Sequence, residues 1–282
     1  MENNRRTPLL RAATLLAAVI ALALPQAALA ITNGVPDKNG HPNAGLFTVE
    51  EGGERFYGCS GSYAGERRGA PGTGVFLTAA HCLADLPEDT QLWVTFEADV
   101  TVDPENNFEV TAASWYRATG FDVHPDAGAS RANPRDYGVI LLETTVPVDP
   151  VAFPRAGLLD DLAARGGLRP GSLIDVVGYG AIPTFKGAPP NLGPASGRMV
   201  ATSRFSALTH AYVGLLGNPD AQEGLGGACF GDSGAPNFLH GTNRIVSIMS
   251  GGGDAICRAK AFGARLDIPE ARSFLGRYVS LP

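Results

Sequence analysis

Apolar and polar positions along this chain alternate in short stretches broken by glycine, proline and charged turns. That is a pattern of strands rather than of long helices. Phe47-Thr-Val-Glu50 and residues 56–63 predict short strands, and residues 66–72 predict a charged hairpin loop. Gly74-Val-Phe-Leu-Thr-Ala-Ala-His81-Cys82 is a run of apolar and small residues, predicting a buried strand that turns into a short helical segment. Residues 92–96 and 116–123 continue the strand rhythm, and Asp136-Tyr-Gly-Val-Ile-Leu-Leu142 predicts an apolar strand beginning at an aspartate. Pro147, Pro150 and Pro154 punctuate the middle and mark a linker between halves. Residues 172–178, 198–202 and 244–249 predict the clearest strands of the second half. Only the C-terminus is plainly helical: Ile268, Ala271, Phe274, Leu275, Tyr278 and Val279 recur at helical spacing, with Asp267 expected to cap and Pro269 in the first turn.

Composition agrees with this reading. The 282 residues include 36 Gly and 21 Pro but are only 18% charged, which favours an all-β, turn-rich fold with 44% hydrophobic residues to fill its core. The formal charge of −6 shows no basic stripe, so a nucleic-acid partner is not expected.

The first 30 residues stand apart from that pattern. Arg5, Arg6 and Arg11 precede an apolar run over residues 12–24, and Ala28-Leu29-Ala30 offers the small residues of a signal-peptidase site. The run is short for a membrane span, so residues 1–30 are expected to be a signal peptide and the mature protein to carry no membrane anchor. Its removal takes three Arg and one Glu and moves the formal charge from −6 to −8. The protein is expected to be secreted, to an extracellular or periplasmic space. In such a compartment Cys59, Cys82, Cys229 and Cys257 are expected to form two disulfides, with three pairings open to them. The sequence has no Cys-x-x-Cys, and a metal site is not expected.

Chemistry concentrates in Gly226-Gly-Ala-Cys-Phe-Gly-Asp-Ser233-Gly-Ala-Pro236. Glycines on both sides permit a tight turn that presents the Ser233 hydroxyl, although Gly, Asp and Ser also make ordinary polar turns. A serine nucleophile needs a base and a carboxylate that orients it, and His81 and Asp136 stand at predicted strand ends. The nucleophile elbow Gly-x-Ser-x-Gly of esterases fails here at Ala235, and after Ser233 only His240 follows, without an intervening acid.

Leu77-Thr-Ala-Ala-His81-Cys82, Asp136-Tyr-Gly-Val-Ile-Leu-Leu142 and Cys229-Phe-Gly-Asp-Ser233-Gly-Ala-Pro236 together resemble the trypsin/chymotrypsin-like serine endopeptidases, in the chain order His, Asp, Ser. The resemblance covers most of residues 31–282. It implies two Greek-key six-stranded β-barrels packed together with a C-terminal α-helix, here divided into residues 31–150 and 151–282. It implies Ser233 as nucleophile, His81 as base and then acid, Asp136 orienting His81, and the N–H groups of Gly231 and Ser233 as the oxyanion hole. It pairs Cys59 with Cys82 and Cys229 with Cys257. Ile31-Thr-Asn-Gly34 looks like a degenerate activation terminus, implying a pair between the Ile31 α-amino group and Asp232 once cleavage falls before Ile31. For the substrate pocket the resemblance implies Gly227 at the floor, where an aspartate would select Arg or Lys. Ser250 becomes a partner of Asp136 (with Ser247 as an alternative frame), Gly252 a backbone contact and Gly263 the opposite wall. A protein or peptide substrate, no cofactor and a monomer are expected. A protease-like binding protein of weak or no activity is the rival reading.

Overall fold

The computed structural model describes residues 31–103, 106–180, 183–184, 191–192, 197–217, 224–252, 257 and 259–282, so the expected signal peptide lies outside the described residues. In chain order the first strands are β1 (Val35–Pro36), β2 (Ala44–Glu51), β3 (Glu54–Glu66), β4 (Gly74–Thr78), β5 (Leu92–Thr95), β6 (Thr101–Asp103), β7 (Glu109–Thr111), β8 (Tyr116–Val123) and β9 (Gly138–Leu142). A short helix α1 (Leu158–Ala164) follows. Then come β10 (Leu173–Gly178), β11 (Pro183–Thr184), β12 (Asn191–Leu192), β13 (Met199–Leu208), β14 (Tyr212–Leu216), β15 (Pro236–Leu239), β16 (Ile245–Gly252) and β17 (Lys260–Arg265), and helix α2 (Pro269–Leu275).

These strands form two closed six-stranded antiparallel barrels. The first runs β2-β5-β8-β9-β4-β3 and closes through β2–β3, with the β6–β7 hairpin attached to β3. The second runs β13-β10-β15-β16-β17-β14 and closes through β13–β14. In each, the fourth strand returns to lie beside the first, which is the Greek-key connection. Barrel closure removes sheet edges and buries the apolar runs: all five residues of β4 are buried. Gly61 is needed where β3 crosses β4, since a Cβ there would stand 2.4 Å from both the Leu77 carbonyl oxygen and the Phe76 ring.

The expected division at residue 150 is crossed at both ends of the chain. At the start, Thr32 bridges to Gly227 and β1 pairs with β13, so residues 31–36 join the second barrel. At the end, Phe274 of α2 packs on His124, and the Tyr278 hydroxyl donates to Asp122, both on the first barrel. Asp267 does not cap α2, whose N-cap is Ile268 with no side-chain bond. Its buried carboxylate instead accepts from Arg265 Nε at 2.9 Å and from the Leu159 N–H at 2.8 Å, at the start of α1. Helix α1 was not expected from the sequence, because its cap comes from a residue far along the chain.

Between the barrels lies Arg198, 2% exposed. Its guanidinium donates to Asp37 Oδ2 at 2.8 Å and to the carbonyls of Lys38 (2.9 Å), Ala44 (3.1 Å) and Phe96 (2.9 Å). Tyr179 adds a hydroxyl bond to the Glu97 carbonyl at 2.8 Å. One cation from the second barrel therefore satisfies acceptors on the N-terminal segment and on the first barrel. Burial alone would raise the Asp37 pKa, but bonds from His41 and Arg198 outweigh it and hold the group below its usual range. Arg198→Met is expected to cost about 3–5 kcal/mol, because it takes the permanent cation from the buried Asp37 carboxylate and leaves it only the His41 contacts, while the carbonyls of Lys38, Ala44 and Phe96 lose their donor. Urea unfolding measures it, and a loss below about 1 kcal/mol would refute this role.

Candidate active site

Strands β4 and β9 are neighbours with Thr78 opposite Gly138, so the residues just beyond that end of the pair meet. The chain leaves β4 through a 3-10 turn, Ala80–Cys82, that carries His81, while Asp136 stands two residues before β9. The His81 backbone N–H donates to Asp136 Oδ1 at 2.9 Å and its Nδ1 lies 2.8 Å from Oδ2. The Ser250 hydroxyl donates to the same Oδ2 at 2.6 Å. A carboxylate with these neighbours accepts only, so Nδ1 carries the proton and Nε2 is left as an acceptor. Ser233 Oγ sits 2.8 Å from that Nε2. His81, Asp136 and Ser233 are thus brought into one line of hydrogen bonds.

The electrostatics follow from the contacts. Asp136 is 6% exposed; burial pushes its pKa up, but the bonds from His81 and Ser250 outweigh burial and hold it below the usual carboxylate range. The hydrogen bond to Asp136 raises the His81 pKa above its ordinary value, against the opposing effect of burial. The disulfide Cys59–Cys82 ties the histidine turn to β3.

Ser233 rides on a loop wrapped around its own neighbour. The Asp232 carboxylate accepts the Cys229 N–H at 2.8 Å and the Gly180 N–H at 2.9 Å, and no other group reaches it among the described residues. Fully buried and without a cation, it has its pKa pushed up to about 7 by desolvation, which those two N–H groups only partly offset. Gly231 adopts φ +87°, in the left-handed region that favours glycine. Neither the Gly231 nor the Ser233 N–H donates to a protein acceptor among the described residues. The disulfide Cys229–Cys257 joins this loop to the segment before β17.

Ile31 is fully buried in the same core cluster as Met199 and Ala228. Thr32 beside it donates its N–H to the Gly227 carbonyl at 2.9 Å and its hydroxyl to the Gly217 carbonyl at 2.7 Å. The N-terminal segment therefore lies against the stretch leading into the serine loop. A bond between Ile31 and Asp232 is not among the contacts of the described residues.

A cavity of about 260 Å³ opens beside Ser233 and His81, lined by Ala228, Met249, Gly252, Lys260 and Ala261 among others. Two pocket expectations are corrected by it. Gly263 is not the opposite wall: a bulge between Met249 and Gly251 pairs Gly252 with Ala261, and Gly263 with Met249. A Cβ on Gly263 would lie 2.4 Å from Ser247 Oγ, inside the barrel, so the wall is Ala261. Gly227 is not in the lining either, because Thr32 holds its N–H and its carbonyl, and Ala228 lines the cavity instead. Ser247 is excluded as the partner of Asp136, since its hydroxyl is buried against Asn237 at 2.9 Å.

Lys260, Ala261, Tyr57 and Ser60 all touch the site and were missed in the sequence. The first two depend on the bulge. Tyr57 and Ser60 had one signal, their closeness to Cys59 on a strand tied to the histidine turn. Among the described residues the one cluster with metal-ligand types is Cys59, His81 and Cys82, and its sulfurs are spent in a disulfide. No helix among them is long and apolar enough to cross a membrane.

A search of curated proteins finds no match. The family model for trypsin matches residues 36–268, which hold both barrels and all three hydrogen-bonded side chains, and the chain belongs to the trypsin family.

Proposed function

We propose that the protein is an exported serine endopeptidase that cleaves peptide bonds through an acyl-enzyme. The observation that carries the reading is the His81 ring held between Asp136 and Ser233 at 2.8 Å on each side. In this reading Ser233 Oγ attacks the scissile carbonyl carbon while its proton passes to His81 Nε2. The carbonyl oxygen becomes an oxyanion facing the Gly231 and Ser233 N–H groups, where one donor is worth about 10²–10³ in kcat. The C–N bond breaks as His81 returns the proton to the leaving amine, and an ester on Ser233 remains. Water then repeats the sequence, with His81 as base, and frees the acid. Asp136 stabilises the imidazolium and stays ionised, consistent with its lowered pKa.

The cavity reading extends to substrate. No acidic side chain lines it among the described residues, and Lys260 adds a positive charge. Arg or Lys before the scissile bond is therefore disfavoured, and an uncharged side chain fits. A fluorophosphonate probe is expected to label the protein, and Ser233→Ala to abolish labelling and lower kcat about 10⁶-fold. A peptide-library profile of the unlabelled wild-type enzyme is expected to show cleavage after uncharged residues, and a profile dominated by Arg and Lys would overturn the pocket reading.

Because His81 must be neutral to act as a base, activity falls on the acid side as it protonates. Its raised pKa sets that limb above the ordinary imidazole value of 6.5. Asp136→Asn removes the cause, so the limb should shift to lower pH while kcat drops about 10⁴-fold. A limb that stays in place in Asp136→Asn would contradict the assignment.

The buried N-terminal segment and the unpaired Asp232 fit cleavage directly before Ile31. While Ile31 is amide-linked, the folded Asp232 pKa of about 7 exceeds its ordinary 3.8. The resulting penalty is absent below about pH 4 and complete above about pH 7, on the order of 4 kcal/mol. A free Ile31 α-amino group offsets it, and that ammonium, its pKa raised by the pairing, is lost as pH climbs beyond about 8. The secreted protein is expected to begin at Ile31 and to melt higher at pH 7 than the uncleaved chain. A mature terminus several residues upstream would sink this part of the reading.

A further inference from the structure

The residues around Ser233 include two hydroxyls that the mechanism above does not use. Tyr57 and Ser60 stand on β3 of the first barrel, across the cleft from the loop they reach. The Tyr57 hydroxyl donates to the Gly231 carbonyl at 2.7 Å and the Ser60 hydroxyl donates to the same oxygen at 3.1 Å. Both donors are themselves fixed. Ser60 Oγ accepts the Tyr179 N–H at 3.0 Å, and the Tyr57 backbone N–H donates to the Phe108 carbonyl at 3.0 Å.

The position of that carbonyl gives the contact its meaning. The peptide between Gly231 and Asp232 lies between the two N–H groups proposed to hold the oxyanion. Gly231 has no side chain and sits at φ +87°, so rotation of this peptide meets little steric resistance of its own. Its oxygen is held by Tyr57 and Ser60, and the Asp232 N–H at its other end donates to the Cys229 carbonyl at 3.1 Å. On the preceding peptide, a Cβ at Gly180 would meet the Phe230 oxygen at 2.5 Å, so that oxygen faces Gly180. A trans peptide then turns the Gly231 N–H the opposite way. A Cβ on Gly231 would also lie 3.3 Å from the Tyr57 ring, so the ring closes the space into which the loop would relax.

We propose that Tyr57, assisted by Ser60, is a positioning residue that locks the Gly231–Asp232 peptide from the first barrel and so keeps the Gly231 and Ser233 N–H groups aimed together. The proposal rests on the serine-peptidase reading and adds to it the device that presets its oxyanion site. It makes the oxyanion donors depend on both barrels, whereas the loop's own contacts through Asp232 depend on the second alone.

A lock of this kind acts on the tetrahedral state and not on ground-state binding, which separates it from a purely structural role. Tyr57→Phe keeps the ring and removes the hydroxyl. It is expected to lower kcat about 10-fold with KM within twofold, and to weaken a peptidyl trifluoromethyl ketone, which forms a tetrahedral adduct on serine, by the same factor. The affinity of the matching peptide acid, a product that makes no adduct, should not change. Ser60→Ala should act in the same direction, and Tyr57→Phe/Ser60→Ala should lose about 100-fold. The single variants carry the test if the double variant does not fold. On an enzyme that labels with a fluorophosphonate, a Tyr57→Phe variant with unchanged kcat and unchanged ketone affinity overturns the proposal alone. So does equal weakening of ketone and product. A wild-type protein that neither labels nor cleaves any peptide overturns the peptidase reading, and the proposal falls with it.

Discussion

The side chains that meet at the cleft come from two barrels, so their geometry depends on how the barrels are held in register. His81 and Asp136 belong to the first, and Ser233 and Ser250 to the second. A 2.8 Å contact between His81 and Ser233 tolerates little sliding. The buried Arg198 ties the two barrels and the N-terminal segment together. Its planar, permanently charged fork reaches several acceptors at once, and it does so across the junction of the N-terminal segment and both barrels. The C-terminal helix supports the same arrangement from outside, emerging from the second barrel and burying Phe274 against the first. Burying charge in this way brings little net stability. What it supplies here is hydrogen bonds to acceptors on both barrels, made in the arrangement observed.

A second buried charge works differently. Among the described residues Asp232 has partners only in backbone N–H groups, which organise the loop around it but leave its charge uncompensated. Arg198 is balanced by Asp37 in the folded chain, whereas no cation reaches Asp232 among the described residues. A burial that is costly without a partner is a natural place for a processing event to act, because the event changes stability and loop order together. In the proposed reading, cleavage before Ile31 would release a terminus near that loop, since Ile31 is buried and Thr32 beside it bridges to Gly227.

Short alternating runs, turn residues and the strand that leads into the His81 turn were legible in the sequence because local alternation and steric preference decide them. The strand over residues 116–123 and the turn from β4 into Ala80–Cys82 are examples. The meeting of His81, Asp136 and Ser233 was legible only through resemblance, since nothing local says that strand ends far apart in the chain are neighbours. The errors originate in partners distant along the chain and in one backbone bulge. Asp267 was read as capping the helix that follows it, but Arg265 and the Leu159 N–H claim its carboxylate. Helix α1 went unread for the same reason. The pocket wall moved from Gly263 to Ala261 because a bulge at Ser250 shifts the pairing of β16 with β17. A shift of that size exchanges the two faces of a strand, and spacing alone does not reveal it.

The bulge also explains why Ser250 has two duties. Within β16, the apolar residues before it fill the barrel, and the exposed glycines after it form the cleft edge. At the bulge the Ser250 hydroxyl leaves the ladder and turns to Asp136 across the junction. The same displacement brings Gly252 opposite Ala261, and both line the cavity. Orientation of the histidine and shape of the pocket are therefore coupled through one irregularity of the backbone. A change that straightens β16 would disturb both, and a change at Ala261 would alter the pocket while leaving the hydrogen bonds of Asp136 intact.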